Sequence, residues 1–508
     1  MSLDAKGPNL IWGISSGHHD AALSVFKGGR IVYASHAERY SKIKNDKQIA
    51  IEQIDEALSF GFPTTVYFYE NVWLKKIRYL KSLQFSKLLE NEYKSIMRKL
   101  ISYDSNFKKV KFKFSDHHFS HAAAGYYTSG FSEAIVVVVD AVGELDTLSV
   151  FKAENNVLQK KPLFSISYPN SVGLFYSHFT KAVGLKPNEE EFIFMSMAAV
   201  GDASKDKFGI RKKILNNLVF PYKWETNQNF HFFQDYLFES DRDKFDLAAV
   251  CQDIVEKYLI DLFNFLKNQF PNNLNWVYAG GVALNCVANS KIVQILSENS
   301  KFFIFPNPGD AGSSIGAILG GINQHVHFKD IFLGTEIVSK FQHKEIVDEL
   351  LKNKICGVAY GRTEFGPRAL GNRSLFADPT FLGIKNRLNR IKNRESFRPF
   401  GVCVLEEDVH DHFILPQIIL TSPFMQFVAK VKDPVQYPDI SHIDGSCRIQ
   451  TVSNTDNPNL YQLLNIWKKK TGCPFLINTS LNIKGQPIVN DELDSTNFQN
   501  LYGIKVFS

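Results

Sequence analysis

The chain has 508 residues, 44% of them hydrophobic and 22% charged, a balance that fits soluble globular domains, argues for two or three of them, and excludes disorder, collagen and a coiled rod. Its longest apolar runs, such as Phe192 to Val200, fall well short of the roughly 20 residues a bilayer span needs, so neither a membrane span nor a membrane partner is expected and a cytoplasmic location follows by default. The net charge of +6 is concentrated: twelve Lys or Arg lie between Lys75 and Lys113 against Glu90, Glu92 and Asp104, and the remainder is slightly acidic.

In chain order, Ile11 to Ile14 and Ala21 to Phe26 read as two strands around a small loop, with Gly28-Gly29 as the hairpin turn that follows. A sugar-kinase or actin-like lobe opens in this way. The basic stretch interleaves Trp73, Tyr79, Phe85, Tyr93, Tyr103, Phe107, Phe112 and Phe114 with its cations, a mixture able to grip a polyanion and stack bases. The plainer reading, which we favour, is a helical excursion whose Leu80, Leu83, Leu88, Leu89 and Ile96 pack on a core. Ile135 to Val139 is a strand ending at Asp140, and Phe245 to Lys267 reads as a helix with Asp246 as its N-cap. Trp276 to Tyr278 is a strand running into Gly280-Gly281, and Phe302 to Phe305 repeats the pattern before Pro306. Periodicity lapses around Gly334 to Glu345, which places a domain boundary at 335/336. Beyond it, polar clusters at Gly357 to Arg373, Lys392 to Phe400, Asp444 to Val452 and Phe475 to Pro487 alternate with short apolar segments. No internal repeat or low-complexity segment is evident. Cys251, Cys286, Cys356, Cys403, Cys447 and Cys473 are too far apart for a CxxC pair and read as buried thiols.

His117 and His121, four apart, face the same side of a helix and are able to share one metal ion, while His118 points elsewhere. A pair of helical histidines satisfied by backbone is the plain alternative. Asp140 and Asp310 stand in loops after apolar strands and complete a set of two imidazoles and two carboxylates, suited to iron, manganese or zinc. In the loop Asn307 to Ser313, Gly309, Gly312 and Ser313 let backbone amides approach phosphate just before a helix starting at Ile315. Gly280 and Gly281, with Asn285 as a polar contact, offer bare backbone to an adenine or ribose. Arg362, Arg368 and Arg373 surround Gly366-Pro367, and Lys392, Arg394 and Arg398 follow; so many cations require an anionic partner. Asn478 and Ser480 end an apolar strand, which completes a pocket for a phosphorylated substrate and a nucleotide.

Taken in order, GISSGHHDAALSV, DHHFSHAAAGYY, VDAVGELDT, YAGGVALNCVANSKI, NPGDAGSSIGA, GRTEFGPRALGNRSLFADP, ESFRPF and INTSLNIKGQPIV resemble the motifs of the O-carbamoyltransferases of the NodU/CmcH type, from about Ile11 to Val489. The resemblance implies an α/β fold, α+β in the second domain. Residues 1–335 would form duplicated actin/sugar-kinase-like (ASKHA) lobes, similar to the tRNA threonylcarbamoyl-transferring ATPases, and residues 336–508 a YrdC-like domain. It implies that the second domain joins carbamoyl phosphate and ATP (with Mg) into carbamoyl-adenylate, releasing pyrophosphate, and that the first transfers the carbamoyl group to a hydroxyl. It implies a divalent metal, iron(II), on His117, His121, Asp140 and Asp310, and it puts Lys392, Arg394, Arg398, Asn478 and Ser480 in the carbamoyl phosphate and ATP region. His19 and Asp20 are the candidates for activating the acceptor, with mere ordering of the first loop as the alternative.

One motif departs from the family pattern GEYKxMGLAPYG: Glu190 to Gly201 reads EEFIFMSMAAVG, with Ile193 in place of the lysine and Ser196 in place of a glycine. Altered acceptor or nucleotide handling and a compensated packing change are the two readings. The expected acceptor is a small hydroxylated metabolite or a hydroxymethylpyrimidine, such as 5-hydroxymethylcytosine, in DNA; a homodimer is left open. A tRNA threonylcarbamoylation-like enzyme is the related alternative, although those functions normally sit on separate chains. A non-catalytic nucleotide-gated binding module is the alternative from another class.

Overall fold

The structure, a computed structural model, describes residues 10–211, 236–328 and 331–508. The chain divides into two compact units, one of residues 1–173, 275–284 and 303–334, the other of residues 174–274, 285–302 and 335–508. The fold is mixed α/β. No helix among the described residues is long and apolar enough to cross a membrane.

In the first unit, β1 (Ile11–Ser15), β2 (Ala22–Lys27), β3 (Arg30–His36), β4 (Thr65–Phe68) and β5 (Lys111–Phe114) form a sheet in the order β3-β2-β1-β4-β5. The β2–β3 hairpin turns at Gly28 and Gly29, whose φ values of 59° and 82° are the left-handed pair a tight two-residue turn demands, as expected. β1 is antiparallel to β2 and parallel to β4. The second sheet contains β6 (Ala134–Val139), β7 (Asp146–Glu154), β8 (Val157–Leu158), β9 (Phe164–Ser167), β10 (Asn275–Ala279) and β11 (Lys301–Ile304), in the order β11-β10-β6-β7-β8, with β9 also on β7. There β6 is antiparallel to β7 and parallel to β10. The two sheets therefore share a connectivity, a central strand with a hairpin partner on one side and a returning parallel strand on the other. No repeat is legible in the residues, and the likeness of the two sheets lies in their strand connectivity.

The excursion between β4 and β5 is helical, at Val72–Lys81 and Glu92–Tyr103 with a short 3₁₀ turn between them. It does not bury the leucines expected to reach a core: Leu80, Leu83 and Leu89 are 51%, 74% and 92% exposed. Lys75 and Arg78 take the inner face instead. Partners outside the helix make this possible, because Lys75 Nζ donates to Glu70 at 2.7 Å and Glu92 at 2.8 Å.

The second unit contains a long helix, Asp241–Gln269, whose N-cap position is Ser240 rather than Asp246. Asp246 lies inside the helix, where it accepts from the backbone N–H of Asp202 and pairs with Arg242. Eight strands form a mixed sheet in the spatial order Phe413–Ile414, Val428–Val431, Ser446–Val452, Gly401–Leu405, Phe475–Ser480, Arg373–Ala377, Ile355–Ala359 and Val506–Phe507. Both faces are covered. Val402, Val404 and Ile477 join one core with Ile384 and Leu388. Cys403, Leu405 and Leu476 join another with Leu460, Leu464 and Trp467. Burial on two sides explains why these strands read as unbroken apolar runs. All six cysteines are buried and free, as expected.

Candidate metal centre and arginine cluster

The helix His117–Ser129 carries both imidazoles, β6 delivers Asp140 at its C-terminal end, and the loop after β11 delivers Asp310. Two crossings set their spacing. A Cβ on Gly316 would lie 1.8 Å from the carbonyl oxygen of Ser120, so only glycine lets the helix Ser313–Ile322 approach the histidine helix so closely. Gly280 has φ +92° and a Cβ there would meet the Val139 oxygen at 2.2 Å, which brings the β10 turn against the end of β6.

The four expected donors converge, with their ligand atoms within 4.8 Å of one another and all four residues buried. His117 Nε2 is 3.0 Å from Asp140 Oδ2 and 3.1 Å from His121 Nε2; His121 Nε2 is 3.3 Å from Asp310 Oδ1. Burial alone would raise the two carboxyls, but the neighbouring imidazoles outweigh it and hold both Asp140 and Asp310 well below the usual carboxylate range. Among the described residues no Lys or Arg pairs with either carboxylate. Two abutting imidazoles with two buried carboxylates that no described Lys or Arg neutralises suit a divalent cation. His118 turns away, as expected, to the hydroxyl of Ser149 at 2.7 Å.

Behind these donors stands a chain of groups that sequence reading missed. Glu70 Oε2 lies 3.9 Å from His117 Nδ1, and its other oxygen accepts from buried Lys75, which reaches Glu92 in turn. Glu144 accepts from the backbone N–H of both Asn71 and His117, and burial lifts its carboxyl to about 7. Glu70 follows β4 as Asp140 follows β6, so an acid just past an apolar strand was the signal available. His19 Nδ1 meets Asp20 at 3.0 Å, and His19 Nε2 is 3.9 Å from Asp310 Oδ2. The His19–Asp20 pair thus borders the donor cluster.

The nucleotide candidates separate. The Gly281 N–H donates to Asp140 Oδ1 at 3.1 Å, so this glycine turn also fixes a donor. A Cβ on Gly312 would overlap the Asn307 oxygen at 1.8 Å, and Ser313 Oγ is buried without a hydrogen-bond partner. Asn285 caps the helix Cys286–Gln294 through the Ala288 N–H and exchanges hydrogen bonds with Gln252.

In the second unit, Arg368, Arg394 and Arg398 come together with Arg448, which was not singled out although it lies in the polar segment Asp444 to Val452. Burial, then Arg448 and Arg398, push Arg368 down to about 9. Burial, with Arg448 working against Glu395, brings Arg398 to about 10. Burial, Arg398 and Arg448 also hold Arg394 well below its ordinary value. The guanidiniums crowd positive charge that Glu395, 3.7 Å from Arg398, does not balance, which suits the site to an anion. The guanidinium planes are braced by rings, Arg394 over Phe400 at 4.2 Å and Arg398 over Phe192 at 4.8 Å. Phe192 belongs to the divergent segment, in which Ile193 is buried within the helix Glu191–Ala198. Arg448 Nε and Asn478 Oδ1 are buried without hydrogen-bond partners. Asn478 is held by Gln450 at 2.8 Å.

Not every predicted cation joins this cluster as a ligand. Arg373, fully buried, donates to the carbonyls of Tyr360, Asn372, Thr335, Gly361 and Asn490, so it is a structural post rather than an anion contact. Lys392 spends its ammonium on Ser480 O and on the Asn482 carbonyl and side-chain oxygens, although Arg394 and Arg398 lie within its field. Ser480 Oγ donates to Asn482 at 2.6 Å. Arg362, on the strand Gly361–Glu364, is half-buried.

Residues 10–319 match the model of the carbamoyltransferase N-terminus and residues 347–507 that of the carbamoyltransferase C-terminus. An uncharacterized protein of Synechocystis sp. is 32% identical over 94% of this chain and 92% of its own length. The nodulation protein NolNO of Sinorhizobium fredii is 27% identical, covering 94% of this chain and 76% of its own. The 3'-hydroxymethylcephem-O-carbamoyltransferase of Amycolatopsis lactamdurans is 26% identical over 93% of each chain. The first match spans the four-donor cluster and the second the arginine cluster, and on both the chain belongs to the carbamoyltransferase family of enzymes.

Proposed function

We propose that the protein is an O-carbamoyltransferase dependent on ATP and carbamoyl phosphate. The observation that carries this reading is the occurrence, on one chain of this family, of two unlike sites: clustered, half-buried arginines suited to an anion and a four-donor cluster suited to a cation. In this reading water hydrolyses carbamoyl phosphate to carbamate and inorganic phosphate, the carbamate oxygen attacks the α-phosphorus of ATP, and pyrophosphate leaves. Arg368, Arg394, Arg398 and Arg448 bind the phosphoryl oxygens, each fork taking two, and their desolvation strengthens the contacts. The division at 335/336, with ASKHA-type lobes before it and a YrdC-like domain after it, belongs to this proposal. It is supported by the repeated sheet connectivity and by family matches that end at 319 and resume at 347.

His117, His121, Asp140 and Asp310 would hold the divalent ion, iron(II) by resemblance, which when bound supplies Lewis-acid stabilisation of phosphate charge. His19, braced through Nδ1 by Asp20, takes the acceptor hydroxyl's proton as its oxygen attacks the carbamoyl carbon and AMP departs. The backbone at Gly280, Gly281 and Gly312 and the free Ser313 hydroxyl are the nucleotide contacts we assign. The acceptor we assign is a small hydroxylated metabolite. Hydroxymethylpyrimidine DNA is the second reading, favoured by the exposure of Lys108, Lys109, Lys111 and Lys113. Pyrophosphate release from ATP that depends on carbamoyl phosphate, and is lost in Arg398→Ala, tests the first half. Carbamoyl transfer to 5-hydroxymethylcytosine DNA against a panel of small alcohols tests the second, with transfer to DNA alone overturning the small-acceptor assignment.

A further inference from the structure

The helix Val72–Lys81 is amphipathic in an inverted sense. Its inner face presents Val72, Lys75, Arg78 and Tyr79, all buried. The two charges there are satisfied from within, Lys75 by Glu70 and Glu92 and Arg78 by the carbonyl of Gly143. Trp73, Ile77 and Leu80, spaced four and three apart and so on one stripe, are 61%, 42% and 51% exposed. The turn that follows adds exposed Leu83, Phe85 and Leu89. A helix folding only for its own core would place these residues the other way round. An exposed apolar patch of this kind marks a surface that meets something else.

The charges around the patch identify what it meets. Lys76, Lys81 and Lys87 flank it, and between Asn71 and Asn91 the single acid is Glu90. A second copy docking symmetrically would set lysine against lysine. A nucleic acid would stack on Trp73 and Phe85 but would leave Ile77, Leu80, Leu83 and Leu89 without use. Aliphatic and aromatic side chains among lysines, with the Lys76 ammonium 5.5 Å over the Trp73 ring, match an acyl boundary beneath anionic headgroups. We propose that this inverted helix and the turn after it dock the protein on the surface of an anionic phospholipid bilayer. The docking is peripheral, and it adds to the carbamoyl-transfer reading without depending on it.

The test is sedimentation of the full chain with phosphatidylcholine vesicles, with and without phosphatidylglycerol. Binding is expected only with phosphatidylglycerol, falling about fivefold for each of Lys81→Ala and Lys87→Ala. The intrinsic emission should shift to the blue on binding, and that shift should vanish in Trp73→Phe. The double variant I77S/L80S should stay in the supernatant while keeping its far-UV dichroism and its pyrophosphate release. No binding to anionic vesicles, equal binding to neutral ones, or a stripe-dependent dimer or oligonucleotide complex in place of vesicle binding would each overturn the proposal.

Discussion

Replacing Gly316 by Ala tests whether the donor cluster depends on the close crossing of two helices. The new Cβ would lie 1.8 Å from the Ser120 oxygen, where ordinary contact begins at 3.4 Å, so the backbones must part by about 1.6 Å. Ser120 directly precedes His121, and Asp310 lies at the other helix's entrance, so the displacement falls between two donors. Metal ligands tolerate about 0.2 Å. Overpacking costs about 1–3 kcal/mol, and the helix preference of Ala over Gly returns about 1 kcal/mol, leaving a net loss of up to about 2 kcal/mol. Urea unfolding reads this loss. Calorimetric titration with manganese(II) or iron(II) reads the geometry, and affinity should fall about 10- to 100-fold. Gly320→Ala is the milder comparison: its Cβ meets the Phe119 ring at 2.8 Å and the Ala123 Cβ at 3.0 Å, side chains rather than backbone. A Gly316→Ala protein with the parent's stability and metal affinity would refute the crossing as the device that sets donor spacing.

Arg398→Ala should abolish carbamoyl phosphate-dependent pyrophosphate release without lowering thermal stability, since it removes one of several crowded like charges. Arg373→Met should instead cost about 3 kcal/mol by orphaning buried carbonyls; the opposite pattern in melting and turnover would exchange their roles. Lys75→Met leaves Glu70 and Glu92 buried without their cation and should cost about 3–5 kcal/mol in urea unfolding. Adding Glu92→Gln should recover part of that loss, and full stability of the single variant would show that the ion triad contributes nothing. Glu38 is buried with Lys44 at 2.8 Å; burial would raise its carboxyl, but Lys44 and Arg39 outweigh it and hold the group below its ordinary 4.5. A depressed carboxyl stabilises above its unfolded value and loses that contribution as pH falls. Glu38→Gln should therefore cost about 2 kcal/mol at neutral pH, with parent and variant converging below pH 4.5 in paired unfolding curves.

Strands such as β1, β6 and β10 were legible because burial on both faces forces unbroken β-branched and apolar runs, and the Gly28-Gly29 turn because few other residues accept its backbone angles. His117 and His121 were legible because helical spacing alone puts them on one face, and Asp140 because an acid at the end of a buried strand has no structural excuse. What local pattern failed to reveal was which charges would be buried and by whom. The leucines after Lys75 read as a core face, yet the core took Lys75 and Arg78, because Glu70, Glu92 and the Gly143 carbonyl reach them from elsewhere in the chain. Arg368, Arg373 and Arg398 look alike in sequence. Tertiary structure turned Arg373 into a post capped by five carbonyls and left Arg368 and Arg398 with Arg448 as a cluster short of negative charge. A buried charge is tolerated only where its partners converge, and that convergence is a property of the folded chain, not of any segment within it.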